Sequence, residues 1–312
     1  MPQNTKTVHL PPTLLGFPWP LALALEAGIY VLVAWAAPRG RAGAAAGLAF
    51  SLTAFFLPIF VVAEPRSARA AVAFLGVLCV MRFVDLVRGA RLNSFGRRLW
   101  FVVTVFDIRQ VAYAPRFFDR ALALATTGYA LLATLSVVAL RRLPPTVSRA
   151  PMLLGRWLLG ALLCYVAADA LVGAIRVGYG VVGIVTPQMH RAPILSRSIG
   201  EFWGERWNRP VHEWLWRHCF KPTVRQSSPM LGVAAVFAAS TMIHVWTVFF
   251  GAGLNMALLA AAFFALQGVL LITEHALRVR EWPGVAARAW TVICILGPSP
   301  LFVEPVLRIV GL

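Results

Sequence analysis

A single histidine inside an apolar run is the residue best placed to do chemistry. In AVFAASTMIHVWTVFFG, residues 235–251, His244 falls near the centre of a segment long enough to help cross a bilayer. Burying an ionisable group in hydrocarbon costs on the order of a few kcal/mol, so such a group faces a cavity or a partner. A neutral imidazole is cheaper to bury than a carboxylate. It is also the side chain best suited to accept a proton near neutral pH. A hydrogen-bonded packing histidine fits the same pattern, with Ser240 one turn earlier as its partner.

The second concentration of chemistry is EFWGERWNRPVHEWLWRH, residues 201–218, which gathers four tryptophans, six charged side chains and two histidines. Trp203, Trp207 and Trp214 recur at spacings of four and seven, which predicts one shared helical face. Arg206, Arg209, Glu213 and Arg217 fall on another. Indoles settle where the ring is buried and the N–H stays wet, so the pattern predicts an amphipathic helix in the membrane plane. Pro210 removes a backbone donor and crowds the preceding turn, so one helix should end and another begin there. Asn208 sits just before that break, where helix carbonyls lose their partners. It is either a capping residue or a polar group aimed into a cavity.

The elements that must position these residues are membrane spans. The chain has 312 residues, is 59% hydrophobic and only 13% charged, with mean hydropathy +0.74. The apolar residues come in long runs: Leu21–Ala37, Gly43–Ala63, Ala68–Leu86, Ala121–Leu140, Met152–Ile175, Leu231–Gly251 and Leu254–Ala276. Val177–Val185 is short and Gly-rich and either extends the fifth run or re-enters. The tail, Ala286–Leu312, is interrupted by GPSP, giving one broken span or two half-spans. The expected fold is therefore all-α and polytopic, a single membrane domain of about eight spans plus interfacial helices. One interfacial helix is expected between the third and fourth runs, where Asp107, Arg109 and Arg116 follow the apolar stretch Leu99–Val105. The polar, proline-rich start reads as no cleavable leader.

The formal charge of +17 does not imply nucleic acid. The basic residues lie mostly between apolar runs, where they meet anionic headgroups. Because arginines flank nearly every run, they set no orientation. Cys79, Cys164, Cys219 and Cys294 are far apart and form neither a metal-binding spacing nor a disulfide framework, so no metal is expected. Arg82 and Asp85, three apart, are expected to pair on one face. Arg156, Asp169, Glu26, Glu274, His275 and Glu304 read as structural pairs or rim charges. The Ala- and Arg-heavy composition is typical of GC-rich bacterial coding and suggests a bacterial inner membrane.

Ser196–Asn208, SRSIGEFWGERWN, resembles the hallmark of the wax synthase branch of the membrane-bound O-acyltransferases. Phe202, Trp203, Gly204, Arg206, Trp207 and Asn208 match its Phe-Trp-Gly-x-Arg-Trp-Asn run in place. Downstream, STMIH at Ser240–His244 resembles the family's small-residue approach to its intramembrane histidine, and Phe302 and Pro305 resemble its C-terminal segment. The specific resemblance covers residues 190–250. It implies an enzyme with an internal tunnel that moves an acyl group from acyl-CoA, a co-substrate rather than a bound cofactor, to a lipophilic alcohol. It puts the catalytic base at His244 and the second signature polar residue at Asn208. Trp203, Arg206, Trp207, Arg209 and Ser240 are the substrate-binding expectations. Two residues depart from the pattern. Val245 stands where several relatives carry a carboxylate, and Glu205 stands where a second basic residue is usual.

In that reading the polar stretch Arg191–Arg225 faces arriving CoA, with Arg206, Arg209, Arg217, Lys221 and Arg225 available to its phosphates. No serine or cysteine pairs with His244, so attack by the alcohol is direct. Two other functions use the same residues or their neighbours. One is a short-chain or acetyl transferase tailoring a terpenoid or sterol. The other is a non-catalytic lipid transporter with Arg82, Asp85 and Asp169 as its polar path. Oligomeric state is open.

Overall fold

In hydrocarbon every backbone N–H and C=O must be satisfied inside the segment, which makes helix the only solution for runs this apolar. The structure, a computed structural model, describes residues 16–37, 39–62, 65–89, 92–143 and 150–312. Among them, seven helices are long and apolar enough to cross a membrane, or eight with one bent pair. They are α1 (Trp19–Ala36), α2 (Gly40–Phe56, continued by the 3-10 turn Leu57–Phe60), α3 (Arg66–Arg88), α5 (Arg120–Arg142), α6 (Ala150–Val181), α10 (Pro229–Ala252) and α11 (Leu254–Ala276). The bent pair is α12 (Gly284–Leu296) and α13 (Pro300–Ile309), which meet at 44° across the GPSP break. The chain is a multi-pass all-α membrane protein, as its composition predicts. Ala63, the end of the second predicted span, lies outside the described residues.

The structure settles two boundaries the sequence left open. The Gly-rich stretch after Ile175 carries α6 on to Val181 and then pairs as a two-residue strand, Ile184–Val185 (β2), with Ala112–Tyr113 (β1). The interfacial helix between the third and fourth spans is short, α4 (Phe95–Val103), because Ser94 caps its start and the chain turns extended at Thr104. Arg98 ties α4 to α1 by donating to the Ala34 carbonyl at 2.9 Å.

Lipid contact is visible in what stays uncovered. On α5 only Ser136 and Leu140 are buried, while Leu124 and Leu135 are 74% and 64% exposed, as suits a helix facing acyl chains. Close helix contacts use small residues. A Cβ at Gly76 would sit 2.5 Å from the Ala54 carbonyl oxygen, so only glycine lets α3 approach α2 this closely.

Arg82 and Asp85 do not pair directly. Arg82 donates to the carbonyls of Thr104 and Phe106 at 2.9 and 3.3 Å, satisfying the backbone just after α4. Asp85 instead meets His218 at 2.9 Å, with Arg217 and Arg109 at 3.5 and 3.6 Å. Asp107 completes this buried network, bound by Arg109 through two bonds of 2.7 and 2.6 Å and by Arg217 at 3.2 Å. Burial raises the Asp107 carboxyl, but its Arg109 hydrogen bonds and the Arg109 and Arg217 charges outweigh that and hold it below the usual carboxylate range. A depressed acid stabilises the fold above its unfolded value and loses that contribution as pH falls through its folded value. Asp107→Asn is therefore expected to lower the melting temperature in detergent at pH 7. The gap to the unmodified chain should narrow as pH falls below the usual carboxylate range and through the lowered folded value of Asp107.

Candidate active site

His244 is placed by a helical hairpin. Gly253, at φ 85° and ψ 177°, adopts a conformation open to glycine and lets α11 start one residue after α10 ends. Nine residues back from that pivot lies His244, and eleven residues on lies Phe264, so the two meet across the pair. Their rings stack at 4.0 Å between centroids, and Phe302 of α13 closes a third side edge-on at 5.5 Å. The ring is packed among these aromatics, and the residue as a whole keeps partial surface exposure.

The tautomer follows from one bond. His244 Nδ1 lies 2.8 Å from the Ser240 carbonyl oxygen. A carbonyl can only accept, so Nδ1 carries the hydrogen, and in the neutral ring Nε2 keeps its lone pair. Ser240 contributes its backbone oxygen, not its hydroxyl. The neighbouring Val245 packs against the apolar cluster of Val248, Ala257 and Ala260, so no carboxylate follows His244 into the site.

The signature stretch is not one amphipathic helix. Ser198 caps a first turn, α7 (Ile199–Glu201), which widens into a π-turn, Phe202–Arg206. Trp207 is extended and Asn208 is left-handed at φ 39° and ψ 55°, before α8 (Arg209–Leu215) begins. A second π-turn, Trp216–Phe220, leads into α9 (Lys221–Gln226). Pro210 sits in the first turn of α8, where its missing N–H costs nothing, so the break falls two residues before the proline. The three indoles predicted on one face therefore diverge. Trp203 donates to Gln267 Oε1 at 3.1 Å, Trp214 donates to the Met81 carbonyl at 3.0 Å, and Trp207 stacks on Phe202 and His190.

Asn208 occupies the residue before α8 but does not cap it with its side chain. Its amide makes no hydrogen bond among the described residues. The two motifs are joined by an aromatic wall. Trp203 packs on Phe264 at 6.1 Å, the ring His244 stacks on, and Trp207 meets Trp203 edge-on at 6.5 Å.

Glu274 and Gln267 anchor this segment to α11, and sequence reasoning undervalued both. Glu274 is 5% exposed and accepts the backbone N–H groups of Ile199 and Gly200 at the start of α7. Gln267 is fully buried. It holds the Trp203 indole and donates to the Cys294 carbonyl at 2.9 Å. A lone amide in AAFFALQGVLL was the available signal. Gln267→Leu leaves the Trp203 N–H without its acceptor and is expected to destabilise the protein by about 1–3 kcal/mol, read as a lower melting temperature in detergent.

The basic residues divide into committed and free. Arg206 donates to Glu201 at 2.6 Å and to the Arg191 carbonyl at 2.8 Å. Burial raises the Glu201 carboxyl, yet the Arg197 N–H and Arg206 bring it below its ordinary value. Arg217 belongs to the Asp85–Asp107 network. Arg209 is held loosely, 3.4 Å from the Gln188 carbonyl and 3.6 Å from Glu213. Lys221 and Arg225 are exposed and have no partner among the described residues. Burial lowers the basicity of His212, so this ring in α8 favours its neutral form. Burial raises the Cys219 thiol, which keeps it from the thiolate form a covalent intermediate needs. Among the described residues, no cluster of three metal-binding side chains occurs.

An open apolar groove of about 490 Å³ lies at the break between α12 and α13, lined by residues that include Leu270, Cys294, Pro298 and Leu301. Leu301 also packs into the cluster of Phe237, Phe263 and Phe264, so the groove meets the outer side of the aromatic wall, and His244 is not part of its lining.

Residues 147–299 match the MBOAT model, the membrane-bound O-acyltransferase family. A stretch of 54 residues, 17% of this chain and 11% of the relative, is 46% identical to Diacylglycerol O-acyltransferase 1 of Bos taurus. Over 116 residues the chain is 30% identical to Probable long-chain-alcohol O-fatty-acyltransferase 7 of Arabidopsis thaliana, covering 33% of this chain and 34% of that one. Over 129 residues it is 29% identical to Probable long-chain-alcohol O-fatty-acyltransferase 2 of the same plant, covering 37% and 38%. The matched part thus spans from a tenth to somewhat over a third of these curated relatives.

Proposed function

We propose that the chain is a membrane-bound O-acyltransferase that moves an acyl group from acyl-CoA to a lipophilic alcohol, with a long-chain alcohol as acceptor and a wax ester as product. The observation that carries this reading is the geometry of His244. Its Nδ1–H is tied to the Ser240 carbonyl, its Nε2 lone pair is free, and its setting is apolar and half-buried. A run of rings, Phe264, Trp203 and Trp207, leads from it to the residue before the unpartnered Asn208. The match of residues 147–299 to the family model supports the reaction class, and the likeness to relatives named for long-chain alcohols supports the acceptor class.

The chemistry follows from these groups. An alcohol is a poor nucleophile at neutral pH and a thioester carbonyl is a good electrophile, so the step needs a base at the hydroxyl. His244 Nε2 takes the hydroxyl proton as the alcohol oxygen bonds to the thioester carbon. The Asn208 amide donates to the oxygen that gains negative charge. The carbon–sulfur bond then breaks, and the imidazolium returns its proton to the CoA thiolate, leaving ester, CoA and the neutral ring. The acyl chain lies in an internal tunnel between spans. Lys221, Arg225 and the loosely held Arg209 are the cations free to meet CoA phosphates, whereas Arg206 holds the shape of the signature turn. The host membrane in this reading is a bacterial inner membrane.

The transport reading needs an open polar path. Arg82, Asp85 and Asp169 each have partners instead. Purified protein in liposomes, supplied with long-chain acyl-CoA and a long-chain alcohol, is expected to release CoA and form ester in equal amounts. CoA release without ester, or neither, would overturn the proposal.

A further inference from the structure

The loop before the signature holds a buried acid–imidazole pair that neither motif contains. Asp169 Oδ1 of α6 lies 2.7 Å from His190 Nδ1, and the His190 side chain is 3% exposed. A carboxylate can only accept, so it fixes the rotation of the imidazole. The His190 ring lies face-on against Trp207, 4.5 Å away and tilted by 26°. The backbone on either side of His190 grips the same turn. Arg191 N–H donates to the Arg206 carbonyl at 2.9 Å, and Arg209 N–H donates to the Met189 carbonyl at 3.1 Å. These two bonds bracket Trp207 and Asn208.

We propose that Asp169 and His190 form a positioning pair that sets the aim of Asn208 through the stacked Trp207. This rests on the acyl-transfer reading above. The Asn208 amide has no bond of its own to hold it, and its backbone sits in the left-handed region that asparagine accepts, so its aim rests on its neighbours. What surrounds it is the backbone bracket and the indole. The indole is held between His190 and Phe202, with Trp203 edge-on, and His190, the nearest of these rings, takes its rotation from Asp169. Without the carboxylate the imidazole is free to turn, Trp207 follows, and the amide leaves the oxyanion. A displacement of about 1 Å at a reacting group costs up to roughly a hundredfold in rate. An apolar ring of similar size keeps the stack and removes the hydrogen bond, which separates the two contributions.

The test is steady-state ester formation by the full chain in liposomes, with a melting curve for every variant. Asp169→Asn and His190→Ala are expected to lower kcat about tenfold and leave KM for acyl-CoA within about twofold. His190→Phe, which keeps a ring against Trp207, should stay within about threefold of the unmodified chain. Adding Asp169→Asn to His190→Phe should change kcat little further, because the imidazole is the ring that Asp169 fixes against Trp207. If Asp169→Asn does not fold, the comparison of His190→Phe with His190→Ala decides. Equal loss in those two would make a ring nitrogen the requirement and overturn the proposal. So would an Asp169→Asn effect that persists beside His190→Phe, or normal kcat in every variant. If the unmodified chain makes no ester, the acyl-transfer reading falls first and this role falls with it.

Discussion

His244→Ala is expected to give a folded, membrane-inserted protein whose ester formation has fallen about 10²–10⁴-fold, the usual cost of losing a general base. Stability should change little, because the residue is only half-buried and gives up one hydrogen bond, to Ser240. Loss should appear in kcat more than in KM, since the base acts on a proton that moves only in the transition state. Paired assays of CoA release and ester formation, with a melting curve alongside, check this. Turnover within a few-fold of the unmodified chain would assign His244 to packing between Phe264 and Phe302.

The second large effect is expected at Asn208, where the backbone and the amide make separable demands. The residue is left-handed, which asparagine and glycine accept and alanine resists. Asn208→Gly therefore keeps the turn and removes the amide, whereas Asn208→Ala disturbs both. Removing an oxyanion donor costs about 10²–10³ in kcat, so Asn208→Gly should lose that much while melting near the unmodified chain. Asn208→Ala should lose at least as much and also melt lower. Near-normal turnover by Asn208→Gly would show that the residue serves only to turn the chain.

Much of the fold was legible in the residues because hydrocarbon leaves helix as the one answer to a long apolar run. Leu254–Ala276 was read to the residue, and Gly43–Ala63 differed mainly where Pro58 tightens the end into a 3-10 turn. The signature segment was the hardest part. Its indole spacing is helical, yet Trp203, Trp207 and Trp214 reach three different partners because a π-turn and a left-handed asparagine rotate the chain between them. No periodicity records a left-handed residue. The Arg82–Asp85 spacing was equally suggestive, but each side chain found a better partner from a distant loop or helix. His190 carried no signal beyond its identity, since its importance comes from contact with Trp207 and Asp169.

One helix supplies both halves of the site. Phe264 stacks on His244, Gln267 holds the first indole, and Glu274 receives the chain as it enters the signature. At 100° per residue these three positions fall within an arc of about 80° on α11. The helix therefore works as a jig with a fixed pitch. Inserting a single residue between 264 and 274 would swing the clamp on one motif by about 100° relative to the seat of the other. Longer additions in the loops around the site would leave that alignment intact. Substitutions on α11 can therefore change what it presents, while its length between these positions stays locked.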